Sequence, residues 1–287
     1  MKLSKLFESR KLTLSFEVFP PKNDTANDEI FKSAEEIADF KPDFMSVTYG
    51  AGGTTDKYTS TLAQKIEKEH SVPTIAHQTC VNSSKESVLR SMNTLKESGI
   101  ENILALRGDI PEGYDYSRFP DFKYASDLVE FIKKNGDFCV GGACYPEGHV
   151  ESDTITKDIE NLRKKVDAGC EFLTTQMFFD NDILYRFLYR IRDVGINVPV
   201  VAGIMPVTNV KQIERICKLS GTKPPQRFVA IVDKFGTRPE AMRQAGVAYA
   251  TEQVIDLYAN GVNNVHIYTM NQPWLAEKIK YNLKDII

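Results

Sequence analysis

The chain has 287 residues, and no apolar stretch in it approaches the ~20 residues that a membrane span needs. Its first ten residues are charged where a signal peptide would carry an apolar core, so a cytoplasmic, membrane-free protein is expected. Charge of one sign is missing too. Lys plus Arg number 36 against 39 Asp plus Glu, and a net charge of -3 offers no field for gripping nucleic acid or an anionic bilayer. The five cysteines are odd in number and include no C-x-x-C pair, which points to free thiols in a reducing compartment. The four histidines show neither H-E-x-x-H nor another local ligand spacing, so no metal site is expected. G-x-G-x-x-G, G-x-x-x-x-G-K-[ST] and G-x-S-x-G are all absent, which argues against a Rossmann site, a P-loop and a nucleophile elbow.

What is present is a repeating alternation. Short β-rich runs at residues 13–19, 44–50, 74–80, 102–108, 138–146, 171–178, 198–206 and 264–270 are separated by helical patterns such as 30–40 and 59–69. In the first run Leu14, Phe16 and Val18 alternate with Ser15 and Glu17. In the fourth, Leu104 and Leu106 are read as the helix-facing side, and Ala105, Arg107 and Asp109 as the interior side. One apolar and one small or polar face per strand fit a (βα)8 TIM barrel better than an open sheet covered on both sides. The expectation is α/β, a single barrel domain over residues 1–287, with extra helix between strands 7 and 8 at residues 209–220 and 239–260. Pro239 suits a first helical position and Gly261 a helix stop. Residues 113–122 form the one long turn-like insertion.

In such a barrel the chemistry gathers where the strands end. The ends are polar here: Glu17, Thr48 and Tyr49, His77, Arg107 and Asp109, Tyr145, Glu147 and His149, Gln176, then Tyr268 and Asn271. Glu17 sits between Phe16 and Val18, where desolvation is expected to favour its uncharged form and suit it to general acid work. A carboxylate held by a buried arginine such as Arg107 is the structural alternative. Arg107 and Asp109 share a face around Gly108, which lets a planar ligand approach the backbone or leaves the two as a local ion pair. Residues 153–169 read as an amphipathic helix with Ile155, Ile159, Leu162 and Val166 as its buried stripe. Asp158, Asn161 and Lys165 line one edge of that stripe, able to meet a ribose and a diphosphate or to form a salt-bridged shoulder.

As a set, these segments resemble methylenetetrahydrofolate reductase of the short bacterial type over almost the whole chain. The resemblance is carried by Ser15-Phe-Glu-Val-Phe-Pro-Pro21, Ser46-Val-Thr-Tyr-Gly-Ala51, Ala76-His-Gln-Thr-Cys80, Ala105-Leu-Arg-Gly-Asp109, Tyr124-Ala-Ser-Asp127 and Tyr145-Pro-Glu-Gly-His149. Lys165-Val-Asp-Ala-Gly169, Thr175-Gln-Met-Phe-Phe-Asp180, Gly203-Ile-Met-Pro206 and Tyr268-Thr-Met-Asn271 complete it. The resemblance implies noncovalent FAD, NADH or an electron-donating partner protein as reductant, and ping-pong reduction of 5,10-methylenetetrahydrofolate to 5-methyltetrahydrofolate. By position it implies Glu17 as general acid and Asp109 between flavin and pterin. It implies flavin contacts from Thr48, Tyr49, His77, Arg107, Gly108, Asp109, Tyr124, Ala125, Tyr145, His149, Asp158, Asn161 and Lys165. Gln176, Gln212 and Gln272 would contact substrate; Gln272 and Ile216 depart from the arginine and aromatic residues usual there.

Two other classes compete. One is a noncatalytic folate-binding or scaffolding barrel subunit, against which Glu17 and Asp109 argue. The other is a flavin-free aldolase or methyltransferase barrel, disfavoured because no strand offers a clear inner lysine and no metal ligands stand out. A homo-oligomer is left open.

Overall fold

The computed structural model describes residues 1–9, 12–21, 27–49, 56–110 and 121–287. Its strands are β1 (Thr13–Val18), β2 (Phe44–Val47), β3 (Thr74–Thr79), β4 (Asn102–Leu106), β5 (Cys139–Cys144), β6 (Phe172–Thr175), β7 (Val200–Ile204) and β8 (Asn264–Tyr268). Each pairs in parallel with the next and β8 pairs back onto β1, so the sheet is a closed barrel. Every strand falls inside a segment expected from the sequence and stops short of its end, where the described residues that follow leave the ladder as loops at the mouth.

The helices are α1 (Leu3–Ser9), α2 (Asn27–Asp39), α3 (Asp56–His70), α4 (Lys85–Glu97), α5 (Ala125–Asn135), α6 (Ile155–Asp167), α7 (Asn181–Asp193), α8 (Val210–Ser220), α9 (Gln226–Phe235), α10 (Pro239–Ala259) and α11 (Pro273–Leu283). The expected extra helix between β7 and β8 is present, and α9 lies there as well. Pro239 opens α10, and Gly261, with φ of 81°, follows its Asn260 cap. Most of the expected insertion, residues 113–120, lies outside the described residues.

Apolar residues fill two layers. Leu14, Phe16 and Val18 of β1 point outward and pack with Met45, Ile103, Ala105, Val265 and Ile267 against the helices. Inside the barrel, Phe44, Ile75, Leu104, Cys139, Phe172 and Val201 form a separate floor, closed from below by Leu3 and Leu6 of α1. The face assignment for β4 is thereby reversed from the sequence expectation: Ile103 and Ala105 face the helices, and Leu104 with Leu106 faces the interior. The floor needs apolar side chains as much as the outer layer does, so polarity does not mark the interior there.

Above the floor the inward positions change character. Ser15 and Glu17, Ser46, His77, then His266 and Tyr268 occupy the upper interior, at the end where catalytic groups sit in barrels of this architecture. A third cluster, with Phe179, Met205, Ile213, Phe228, Met242 and Tyr249, holds α8, α9 and α10 over the β7 end. Gly246 makes that packing feasible, since a Cβ there would lie 1.8 Å from the Val207 carbonyl oxygen.

Candidate active site

Ladder register sets the centre of the mouth. Glu17 is level with Ser46 on β2 and with Tyr268 on β8, and Ser15 is level with His266. The Glu17 side chain, 22% exposed, faces two imidazoles: His77 Nε2 at 3.9 Å and His266 Nε2 at 3.7 Å from its Oε2. Both distances exceed a direct hydrogen bond, so these contacts are electrostatic. Each ring is anchored by a serine, Ser46 Oγ at 2.5 Å from His77 Nε2 and Ser15 Oγ at 2.7 Å from His266 Nδ1. Ser15 Oγ also lies 3.1 Å from the Val265 carbonyl; donating to it leaves Oγ free to accept from His266 Nδ1–H.

Burial pushes His77 down to about 4, against the opposing pull of Glu17, so this ring is neutral at neutral pH. The Tyr268 phenol is driven well above its ordinary range by burial and then by Glu17, and its hydroxyl donates to the Thr175 carbonyl at 2.7 Å. Gly203 admits that ring: a Cβ there would meet Tyr268 Oη at 2.6 Å and the Thr175 carbonyl at 2.5 Å. Phe16 and Val18, the neighbours expected to desolvate Glu17, point the other way, so its surroundings are imidazole, hydroxyl and phenol rather than hydrocarbon. Nor does Arg107 hold it, because the guanidinium makes two hydrogen bonds of 2.7 Å to the Glu151 carboxylate.

That Arg107–Glu151 pair belongs to a second group on the rim. His149 accepts the Glu151 N–H at Nδ1, and its ring stands edge-on to Tyr145 with centroids 4.6 Å apart. Burial first, and Arg107 second, hold His149 below its usual range; burial raises Tyr145 to about 12. Asp158 accepts from Ser152 at 3.1 Å. Lys165 runs its stem over Gly142, where a Cβ would lie 2.6 Å from its Cδ, and donates to the Ala143 carbonyl at 2.6 Å. Burial lowers the pKa of this ammonium, with the Cys170 and Cys144 thiols close enough to act on it. Gly108, two residues past the end of β4, has φ of 83°, and Asp109 beside it is exposed.

The remaining expected positions are more scattered. Thr48 accepts Thr59 Oγ1 at its carbonyl, and Tyr49 beside it is half-buried. Tyr124 is exposed and caps α5, whose first residue Ala125 is buried. Asn161 is exposed and accepts from Lys164, so no described contact ties it to Asp158 or Lys165. The Gln176 side chain accepts the Met177 N–H. Gln212 is taken up by Thr208 and Met205, and Gln272 accepts from Trp274. Sequence reasoning missed His266 and the two serines. The signal was the period of two that puts Ser15 beside Glu17 and His266 beside Tyr268 on one face.

Among the described residues one triplet could hold a cation, Glu35, Glu69 and His70. It lies at the end of α3 that leads into β3, away from the mouth, and Lys65 already pairs with both carboxylates while His70 bonds Asp39. All five cysteines are free, four of them buried and Cys217 half-buried. No helix among the described residues is long and apolar enough to cross a membrane.

Fold and mouth together define a (βα)8 barrel with a polar, partly enclosed site at the carboxyl ends of its strands. The chain belongs to the methylenetetrahydrofolate reductase family, whose model matches residues 2–284. It is 38% identical over 265 residues to "Methylenetetrahydrofolate reductase 1" of Schizosaccharomyces pombe, covering 91% of this chain and 44% of that protein. With "Methylenetetrahydrofolate reductase (NADH) 1" of Arabidopsis thaliana it shares 36% over 297 residues, 98% of this chain and 50% of the relative. The chain thus spans about half the length of these relatives. The "5,10-methylenetetrahydrofolate reductase" of Escherichia coli is 33% identical, with 95% of this chain and 91% of that protein covered. Among solved structures, a Clostridium thermocellum protein described as binding two copies of 5-methyl-5,6,7,8-tetrahydrofolic acid shares the fold. Its TM-score is 0.69 at 16% identity, over 98% of this chain and 99% of that one.

Proposed function

We propose that this barrel reduces 5,10-methylenetetrahydrofolate to 5-methyltetrahydrofolate with bound FAD, NADH being the donor. Family membership supports the substrate, and the name of the Arabidopsis relative supports the donor. The observation that carries the reading is Glu17: a partly exposed carboxyl on the inner face of β1, ringed by a neutral His77, His266 and Tyr268.

The rim fits the cofactor in the chemistry of its donors. Lys165 is a half-buried cation at the lip with a backbone carbonyl as its described partner, and among the described residues no carboxylate lies within ion-pair distance of it. A partly desolvated ammonium in that state is complemented by a diphosphate. Lys165 with Asp158 and Asn161 would hold the diphosphate and ribose. Arg107, Gly108, Asp109, Tyr145, His149, Tyr124, Ala125, Thr48, Tyr49 and His77 would hold the ring system and its linker. When bound, FAD supplies hydride.

Glu17 holds the proton that opens the five-membered folate ring by protonating its amine, and Gln176, Gln212 and Gln272 orient the substrate. His77 and His266, fixed by their serines, flank the carboxyl and bound the space it can occupy. The test is direct. Purified protein should be yellow, should be bleached by NADH without air, and should regain its colour on adding methylenetetrahydrofolate. A colourless protein that refuses FAD yet binds folate would favour the noncatalytic folate-binding reading.

A further inference from the structure

Glu147 plays no part in the chemistry above, yet its side chain joins two parts of the mouth that lie 76 residues apart. It sits in the tight turn after β5, which the Gly148 N–H closes onto the Tyr145 carbonyl at 2.9 Å and which Gly148, at φ of 88°, permits. One oxygen, Oε2, accepts the backbone N–H of Lys223 at 3.2 Å. The other, Oε1, is buried and has no hydrogen-bond partner among the described residues, the nearby Thr222 hydroxyl donating to the Met177 carbonyl instead.

Lys223 belongs to the turn between α8 and α9, and that turn is gripped from three sides. Gly221 ends α8 in the left-handed region, and a Cβ on it would meet Val150 of the β5–α6 loop at 2.9 Å. Thr222, buried, donates at 3.3 Å to the carbonyl of Met177, next to Gln176 in the loop that follows β6. Glu147 supplies the third grip, from the loop that carries Tyr145 and His149. Helix α8 itself begins beside Gln212, whose side-chain amide oxygen accepts the Thr208 N–H.

We infer that Glu147 is a positioning residue: its carboxyl clasps the α8–α9 turn to the β5–α6 loop and so sets the place of α8, with Gln212, relative to Tyr145 and His149. This rests on the reading that the first group faces substrate and the second faces FAD. A carboxylate is a stronger acceptor for a lone backbone N–H than a neutral oxygen. Burial pushes the Glu147 carboxyl up, opposed by the Lys223 N–H and by the nearby Thr222 hydroxyl. The orphaned Oε1 makes the closed clasp costly, because hydration of that oxygen is recovered only when the turn moves away. The clasp therefore holds α8 in place without locking it.

The experiment compares Glu147→Ala and Glu147→Gln in the FAD-loaded protein, by hydrogen exchange and by steady-state kinetics. With Ala, amides of residues 213–224 should exchange about tenfold faster, the factor that ~1.4 kcal/mol of lost constraint produces. Those of 125–135 in α5 should be unchanged. The KM for methylenetetrahydrofolate should rise by a similar factor while kcat and the FAD dissociation constant stay within about threefold. Gln keeps an acceptor for Lys223 and should restore both readouts. Unchanged exchange in 213–224 overturns the clasp whatever the substrate is. Faster exchange with an unchanged KM, or with FAD affinity lost in proportion, overturns its positioning of α8 for substrate. A wild-type protein that turns over no folate but shows the exchange pattern would instead refute the proposed activity while keeping the clasp.

Discussion

Glu17 and His77 face each other across 3.9 Å inside the barrel mouth without forming an ion pair at neutral pH, because burial holds the imidazole down to about 4. A protonated histidine at that distance would place a full positive charge beside the carboxyl; a neutral one places none there. Ser46 accounts for the ring's placement, occupying the nitrogen nearest the carboxyl.

Stability should therefore fall on mild acidification. His77 has a folded value depressed from 6.5 to about 4, so between those values the unfolded chain binds a proton that the native one refuses. The stabilisation is complete above about pH 6.5 and is lost as pH falls towards 4, amounting to ~3 kcal/mol at most. Urea midpoints measured from pH 7 to pH 4 should drop more steeply for the parent than for His77→Gln. Parallel curves would show that the ring titrates normally.

Lys165→Met keeps the stem over Gly142 and removes the ammonium. FAD should bind about tenfold or more weakly, as expected for a lost charge-assisted contact of ~1.5–3 kcal/mol. The thermal midpoint without FAD should hold or rise, since an apolar terminus replaces a half-buried cation that has no described counter-charge. FAD affinity equal to the parent's, by fluorescence titration, would make this helix edge a structural shoulder.

Gly203→Ala puts a methyl group where Tyr268 and the Thr175 carbonyl approach to 2.6 and 2.5 Å of its Cβ. The phenol must leave Thr175, so a loss of ~1–3 kcal/mol is expected from overpacking and the broken hydrogen bond. Tyr268→Phe should lose less, since only the hydrogen bond goes. A melting midpoint for Gly203→Ala at or above that of Tyr268→Phe would contradict this packing.

The barrel was legible because Leu14, Phe16 and Val18 alternate cleanly with Ser15 and Glu17 and because eight such runs recur. The faces of β4 were not, since Asn102-Ile-Leu-Ala-Leu106 is apolar on both sides where it crosses the floor. Helix α1 is short, with no acidic residue in its first turn, and its burial comes entirely from the floor it plugs. Helix α9 lacks a side-chain cap and follows Pro225. Glu17 stood out by its polarity inside a strand, yet its partners did not: Ser15 meets His266 across 251 residues, a contact that only barrel closure creates. Arg107 was legible as a strand-end cation, but its partner Glu151 lies in a loop with no periodic signal.

The central claim is that Glu17 delivers a proton to the folate amine, and Glu17→Gln tests it most directly because the shape of the side chain is kept. Rapid mixing without air should follow two steps separately, bleaching of the bound FAD by NADH and return of its colour with methylenetetrahydrofolate. The first needs no proton on the folate and should stay within tenfold of the parent, while the second should slow by ~10²–10⁴-fold, the range for a lost general acid. A folate step as fast as the parent's, or equal losses in both steps, would contradict the assignment of Glu17 as the acid.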